Sequence, residues 1–215
     1  FYEKAAPSFT PQWMKTFAIA RTSVSAVVNY TLINDLPSLI WSANLANLEL
    51  HPFLARVPHI ERPNMIVFDL DPGDGTDILR SGEVVFILKD VLDRLGLKCF
   101  VKVSGSKGIH LHVPLNTAVT YEATQPFANS IAQLLASEHP ELVVSEMAKA
   151  KRRGKVFVDW SQNSEHKSTV EVYSLRARSD GPFVAMPVTW SELRKAMDKS
   201  DLEALFFRPD EALRR

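Results

Sequence analysis

The sequence predicts an α+β protein with a central mixed or antiparallel sheet flanked by helices. Alternating apolar and polar runs typical of strands are interleaved with long segments whose apolar residues recur at helical spacing. Several strand runs are joined by short turns rich in small residues, and short turns connect antiparallel neighbours. A doubly wound parallel sheet would instead need a helix after almost every strand, so we favour the mixed arrangement.

The first fifty residues are predicted to form an irregular arm, a hairpin and one helix. Residues 1–12 hold two prolines, and residues 15–21 and 27–32 alternate as strands do. A helix is expected to begin near Leu36, because Asn34 or Asp35 can cap it and Pro37 is tolerated in the first turn.

The middle of the chain is predicted to alternate strands and helices. A central strand at 66–68 runs into Asp69 and Asp71 and is ended by Pro72 and Gly73. A helix is expected over 78–95, with Gly96 as its C-terminal stop. Strands at 97–103 and 109–113 then flank a small-residue turn, and a second long helix is expected over 121–138.

The C-terminal part is predicted to add short strands and a final helix. We expect strands at 142–144, 155–160 and 169–173, and a helix over 191–206. Arg176 and Arg178 are expected in a loop.

Composition gives few indications of a partner. Lys and Arg number 25 and balance 25 Asp and Glu, so a nucleic-acid binder of this composition needs its basic residues clustered. Cys99 is the single cysteine, which excludes a disulfide framework and a cysteine-built zinc site. No apolar stretch is long enough to span a bilayer, so we expect an intracellular protein without a membrane partner.

Two aspartates at the end of the central strand are the first candidate site. Asp69 and Asp71 are two residues apart, so their side chains project on the same face of a strand. Asp159 ends another predicted strand, and three carboxylates at one sheet end would suit Mg²⁺ or Mn²⁺. The alternative interpretation is that these acids are solvated residues at the ends of strands.

The turn after the next strand has the composition of an anion site. Ser104, Lys107 and His110 offer a hydroxyl, a fixed positive charge and a ring nitrogen, while the glycines let backbone N–H groups approach phosphate oxygens. A plain glycine turn is the alternative. His110 and His112 share a face and could bind zinc, but they lack a companion cysteine or a His-Glu-x-x-His pattern.

Basic residues are dense in one loop and paired in another. The segment 149–155 holds five of them and is a candidate contact for a DNA backbone. The Arg176 and Arg178 pair could clamp a triphosphate or a nucleic-acid end. Ordinary surface charge is the alternative for both.

Together these motifs resemble the polymerase domain of bacterial DNA ligase D, in the archaeo-eukaryotic primase superfamily. The resemblance rests on motifs that occur in the family's order over nearly the whole chain: Phe-Asp-Leu-Asp-Pro-Gly at 68–73, Ser-Gly-Ser-Lys-Gly-Ile-His at 104–110 and Phe-Val-Asp-Trp-Ser-Gln-Asn at 157–163. Supporting matches lie at 49–52, 173–178 and 187–190. The resemblance implies a single primase–polymerase-like catalytic domain over residues 1–215, without the family's N-terminal segment that holds a 5′-phosphate.

The resemblance also implies roles for individual residues. It makes Asp69, Asp71 and Asp159 the catalytic acids and metal ligands, with Mn²⁺ or Mg²⁺ as cofactor. The implied nucleotide contacts are His51 on the sugar side near its 2′-hydroxyl, Ser104, Lys107, His110 and Arg176 on the phosphates, and Gln162 nearby. The implied DNA contacts are Phe1 and Tyr2, which would stack at the template strand, and Arg152, which would help bring the metal and the DNA 3′ end together. Lys151 and Arg153 of the basic segment are further candidate DNA contacts.

The implied function is template-dependent nucleotide addition at DNA ends or gaps in bacterial non-homologous end joining. Implied partners are DNA ends, nucleoside triphosphates with ribonucleotides preferred, a Ku-type end-binding protein and a ligase domain, all in the bacterial cytoplasm at the nucleoid. Two alternatives follow from the same residues. A non-catalytic DNA-end-binding module would use only the basic loop and aromatics, and a metal-dependent nuclease would use the acids without needing the Ser104–His110 turn.

Overall fold

The computed structural model describes residues 3–21 and 26–215 of the chain. Contacts within it divide the chain into two compact units, residues 1–48 and 49–215. Phe1 and Tyr2, the predicted template-stacking aromatics, lie outside the described residues. In the part that is described, no helix combines the length and apolar character needed to cross a bilayer.

The first unit is a hairpin followed by a helix, as the sequence predicts. β1 (Thr16–Arg21) pairs antiparallel with β2 (Ala26–Thr31), in a register that places Thr16 opposite Thr31. α1 (Leu36–Asn44) begins after Asp35, whose Oδ1 accepts a hydrogen bond from the Ser38 N–H at 2.9 Å. This cap satisfies a backbone donor that the helix itself leaves unpaired.

The second unit is built on a six-stranded sheet. Its strands are β3 (Met65–Pro72), β4 (Phe100–Val103), β5 (Ile109–Pro114), β6 (Val143–Val144), β7 (Val156–Asp159) and β10 (Met186–Val188). Their spatial order is β10-β4-β5-β3-β7-β6. Every pairing in the sheet is antiparallel except that of β6 with β7, which is parallel. This mixed sheet confirms the predicted fold class.

The two faces of the sheet differ sharply in chemistry. Ile66, Phe68 and Leu70 of β3 alternate onto one face, where they join the main hydrophobic core. The two long helices, α2 (Ile78–Arg94) and α3 (Tyr121–Glu138), add Leu88 and Leu135 among others to that core. The opposite face carries the polar side chains of the same strands, and it is the face on which the candidate site lies.

The C-terminal segment differs from the prediction in two ways. A short strand pair, β8 (Leu175–Arg176) with β9 (Phe183–Val184), replaces the expected loop around Arg176. The expected helix at 191–206 is shorter: α4 covers Trp190–Asp198, a 3₁₀ turn covers Glu203–Leu205, and α5 (Pro209–Ala212) follows. The chain leaves the helix because Ser200 adopts a left-handed φ of 51°, a conformation that a continuing helix excludes.

The predicted strand at 169–173 was wrong. The segment instead makes isolated backbone bonds to the extended piece before the central strand, from Thr169 N–H to Pro52 O at 3.2 Å and from Glu171 N–H to Leu50 O at 2.9 Å. Tyr173 then takes a left-handed φ of 62° and turns the chain away, so a regular ladder does not form.

Candidate functional site

The three predicted acids lie on neighbouring strands at one end of the polar face. Asp69 of β3 stands directly opposite Asp159 of β7, and Asp71 lies two residues further along β3. Opposed residues of an antiparallel pair point to the same face with Cα atoms about 4.5–5.5 Å apart. The backbone therefore brings together three acids that are up to ninety positions apart in the sequence.

Asp69 is held by a short chain of polar contacts from the next strand. His110 of β5 pairs with Asp69 in register, and its Nε2 lies 3.2 Å from Asp69 Oδ1. The other ring nitrogen of this buried histidine lies 3.2 Å from Thr169 Oγ1. Burial acts to raise the pKa of Asp69, but His110, Lys102 and Arg176 together outweigh burial and hold that pKa below its usual value.

Asp159 is engaged by the loop that follows it. Its Oδ1 accepts hydrogen bonds from the Ser161 N–H at 2.9 Å and from the Ser161 hydroxyl at 2.7 Å. Gln162 donates from Nε2 to Oδ2 at 2.9 Å, so this predicted nucleotide contact lies directly on one of the three predicted acids. These bonds fix the carboxylate at the strand end.

Asp71 is the acid whose negative charge is destabilised by its surroundings. Burial raises its pKa from the usual 3.8 to about 6, with the nearby Asp69 and Asp159 carboxylates adding to the rise, despite the opposing pull of Lys107 and His110. A site that penalises a carboxylate in this way is one that a divalent cation would stabilise, and an all-oxygen donor set suits Mg²⁺ or Mn²⁺. The acids therefore fit a metal ion chemically.

The side chains of Asp69 and Asp159, however, are turned toward protein partners. Within residues 3–21 and 26–215, no group of three or more His, Cys, Asp or Glu side chains is already arranged around one point as metal ligands. Asp69 faces His110 and Asp159 faces Ser161 and Gln162, so holding a shared ion requires these carboxylates to reorient.

The predicted anion-binding turn is a tight connection between β4 and β5. Its ends are joined by a bond from the Ser104 N–H to the Gly108 carbonyl at 2.9 Å, and the Ser104 hydroxyl accepts from the Gly108 N–H at 3.2 Å. Gly108 lies against the acids: a Cβ atom there would fall 2.9 Å from Asp71 Oδ1 and 2.7 Å from the Leu70 carbonyl oxygen. The turn and the acid pair therefore form one continuous site.

The second arginine of the predicted pair supports this turn. Arg178 donates to the Ser106 carbonyl at 2.9 Å and forms two hydrogen bonds with Asp180, at 3.0 Å from Nε and 2.9 Å from Nη2. Its guanidinium also stacks over the rings of Phe183 and Phe206. Arg178 thus positions the turn, a contact that local sequence patterns do not predict.

The sugar-side and phosphate-side candidates meet at one carboxylate. His51 Nε2 lies 3.2 Å from Glu49 Oε2, and Arg176 Nε lies 3.3 Å from the same oxygen. Arg176 also approaches the Ser104 carbonyl at 3.5 Å through Nη1. Residues that are more than a hundred positions apart are thereby joined beside the Ser104–Gly108 turn.

The basic loop is anchored to the strand that carries the acids. Gly73 N–H bonds to the Lys155 carbonyl at 2.8 Å, and a Cβ on Gly73 would lie only 1.9 Å from the Arg152 carbonyl oxygen. Arg152 stacks 3.6 Å above the Phe157 ring and donates to the Met147 carbonyl. Among the other predicted DNA contacts, Lys151 pairs with Glu146 at 2.5 Å and Arg153 is exposed.

Asn163 and Lys102 are two further buried polar residues whose contacts the sequence patterns do not predict. Asn163 is fully buried; its Oδ1 accepts from the Val67 N–H at 2.8 Å and its Nδ2 donates to the Val67 carbonyl at 2.7 Å. The pairing of β3 with β7 ends at Asp69 and Asp159, and beyond that point the Asn163 side chain takes the place of a neighbouring strand for Val67. Lys102, also buried, donates to the Val170 carbonyl, and burial lowers its pKa to about 8.

A mixed sheet with three acids at one end and a glycine-containing turn against them agrees with the primase–polymerase class that the motifs predict. The family model described as "LigD, primase-polymerase domain" matches residues 1–209. The chain belongs to this family, whose members are nucleotidyltransferase-type enzymes, and the resemblance inferred from the motifs is confirmed.

Similar proteins support the same assignment. The chain is 38% identical over its whole length to the multifunctional non-homologous end joining protein LigD of Mycolicibacterium smegmatis, covering 27% of that protein. It is 33% identical over 92% of its length to the bifunctional LigD of Bacillus subtilis, covering 31% of it. It therefore spans about a third or less of these relatives.

A solved structure agrees in detail with the fold. The polymerase domain from Mycobacterium tuberculosis ligase D, determined in complex with DNA, superposes with a TM-score of 0.89 at 38% identity. The match covers all of this chain and 75% of that one.

Proposed function

We propose that this chain is a DNA-dependent nucleotidyltransferase that adds nucleotides at DNA ends or gaps in bacterial non-homologous end joining. One observation carries the proposal: Asp69 and Asp159 stand opposite each other on adjacent strands, with Asp71 beside them and the Ser104–Gly108 turn against Asp71. That placement puts a cluster of carboxylates next to a backbone suited to phosphates. Residues 1–215 would act as a single catalytic domain.

Asp69, Asp71 and Asp159 would hold the divalent cofactor, Mn²⁺ or Mg²⁺. When bound, such ions lower the pKa of a primer 3′-hydroxyl and neutralise charge that develops on the triphosphate. The raised pKa of Asp71 supports this assignment, because burial and the neighbouring acids leave its negative charge unbalanced.

The anion-binding turn and its neighbours would position the nucleotide. Ser104, Lys107, His110 and Arg176 would orient the triphosphate for in-line attack by the 3′-hydroxyl on the α-phosphorus, with pyrophosphate leaving. His51 would contact the sugar, near its 2′-hydroxyl, and favour ribonucleotides. Gln162, which donates to Asp159 Oδ2, would turn from that carboxylate to the nucleotide when Asp159 reorients to hold the ion.

The basic loop would carry the DNA. Lys151, Arg152 and Arg153 would contact the backbone near the primer end, while Phe1 and Tyr2 would stack at the template. The bond between Gly73 and Lys155 supports this arrangement, because it ties the loop to the strand that bears the acids. A Ku-type end-binding protein and a ligase domain would be the partners during repair.

The test is single-nucleotide addition to a labelled primer–template with Mn²⁺, in the presence and absence of chelator. We expect extension by the wild type, none with chelator, and none by Asp71→Ala despite normal folding. DNA binding without extension would support the end-binding module instead, and release of mononucleotides from the labelled end would support a nuclease. Either result, or wild-type extension by Asp71→Ala, would overturn the proposal.

A further inference from the structure

We propose that Glu49 is a positioning residue that sets the nucleotide's ribose and phosphate contacts, and hence the preference for ribonucleotides, by holding His51 and Arg176 together. The inference rests on the proposed function, because it assigns Glu49 a role within the same nucleotide site. Neither the motif resemblance nor the strand pattern gives Glu49 a role of its own.

Glu49 connects three donors with the two oxygens of one carboxylate. Oε1 accepts a hydrogen bond from the Ala177 N–H at 2.9 Å, which fixes the backbone next to Arg176. Oε2 lies 3.2 Å from His51 Nε2 and 3.3 Å from Arg176 Nε, the latter as an ion pair. One side chain thus sets the spacing between the sugar-side and phosphate-side contacts.

The charge state of Glu49 fits this role. Burial acts to raise its pKa, but the Ala177 hydrogen bond, His51 and Arg176 together hold that pKa below its usual value. An ionised carboxylate only accepts hydrogen bonds, so His51 Nε2 must donate to it. Glu49 therefore also determines which ring nitrogen of His51 carries hydrogen.

The backbone around Glu49 is equally well fixed. The Leu50 N–H donates to Ser174 Oγ at 2.9 Å, and the Leu50 carbonyl accepts from the Glu171 N–H at the same distance. Because the segment is held independently of the Glu49 side chain, changing that side chain alters the donors that it orients more than the path of the chain.

Glu49→Gln is the informative substitution. The amide keeps the size of the side chain but has one acceptor oxygen and two N–H donors. If that oxygen stays with Ala177, the NH₂ group faces the N–H donors of His51 and Arg176 and repels them. Glu171→Gln is the matched control. It removes the same charge from an exposed side chain, and the backbone N–H of Glu171, which bonds to the Leu50 carbonyl, is left unchanged.

The experiment measures kcat and KM for ATP and for dATP opposite a template thymine. For Glu49→Gln we expect the KM for ATP to rise about tenfold, the scale of a lost charge-assisted hydrogen bond, with kcat changed less than about threefold. The ratio of kcat/KM for ATP to kcat/KM for dATP should fall, because only ATP has a 2′-hydroxyl whose contact with His51 the substitution can weaken. Glu171→Gln should behave as the wild type in all these quantities.

A double-mutant cycle with His51→Ala shows whether Glu49 acts through His51. Once His51 is removed, Glu49→Gln should still raise both KM values through Arg176, but it should leave the ATP-to-dATP ratio unchanged. A merely structural role would instead lower activity with both nucleotides equally and lower the melting temperature. That outcome, or unchanged KM and ratio in Glu49→Gln, overturns the inference.

Direct nucleotide binding separates this inference from the proposed function. If the wild type incorporates nothing, the proposed polymerase function fails. Calorimetric affinities of the wild type and of Glu49→Gln for ATP and dATP with Mn²⁺ then still test the role of Glu49. The substitution is expected to weaken ATP binding more than dATP binding. If Glu49→Gln weakens ATP and dATP binding equally, or weakens neither, the positioning role of Glu49 is overturned.

Discussion

Replacing Asp71 with asparagine should stabilise the metal-free protein while abolishing its activity. The substitution keeps the shape of the side chain and removes a charge that the site penalises. Burial, Asp69 and Asp159 raise the pKa of Asp71 from 3.8 to about 6, so at neutral pH the folded protein holds an unfavourable carboxylate.

The size and sign of the effect follow from this shift. A difference of about two pKa units corresponds to ~3 kcal/mol, and partial exposure of the side chain reduces it to about 1–2 kcal/mol. Because the folded-state pKa is raised, the penalty is fully present above about pH 6 and disappears as the pH falls below 3.8. A gain of this size in a chain this long raises the melting temperature by about 2–8 °C.

The assay is thermal unfolding with chelator at pH 7.5 and again near pH 3.5. Asp71→Asn should melt higher than the wild type at pH 7.5, and the two should converge at the lower pH. Asp74→Asn, which removes an exposed acid three residues away, should leave the melting temperature unchanged. Added Mn²⁺ should stabilise the wild type and not Asp71→Asn, so the difference between their melting temperatures should become smaller. Equal or lower stability of Asp71→Asn at pH 7.5 with chelator would refute this reasoning.

Three further substitutions test other parts of the site and the fold. Gly108→Ala places a methyl group 2.9 Å from Asp71 Oδ1 and should reduce nucleotide addition more than tenfold, the effect of a small displacement at a catalytic group, as primer extension would show. Asn163→Leu leaves the buried N–H and carbonyl of Val67 unpaired and should lower the free energy of unfolding by about 2–4 kcal/mol in urea titrations. Thr189→Ala removes the capping box of α4 and should cost about 1 kcal/mol in the same titrations with nucleotide addition unchanged.

Local patterns were sufficient to predict the parts of the site that lie on one strand or turn. The two-residue spacing of Asp69 and Asp71 fixed their shared face, and the alternation of β5 placed His110 and His112 away from the core. Helices α2 and α3 were predicted within a residue of their observed ends, because capping residues and helical spacing mark them locally.

Long-range pairing was beyond local patterns. The opposition of Asp159 to Asp69 depends on the register between β7 and β3, which no short stretch encodes. The same holds for the contacts of Asn163 with Val67 and of Glu49 with Ala177, each of which joins residues about a hundred positions apart or more. Such residues become identifiable only when the folded chain shows which backbone groups they satisfy.

The central claim is that three carboxylates on two strands share divalent cations beside a bound nucleotide. The most direct test is anomalous diffraction at the manganese edge from crystals soaked with Mn²⁺ and a nonhydrolysable ribonucleoside triphosphate. We predict density bonded to oxygens of Asp69, Asp71 and Asp159, with the phosphates against the Ser104–Gly108 turn. Manganese bound elsewhere than at these three side chains, or a triphosphate bound away from the turn, would contradict the central claim.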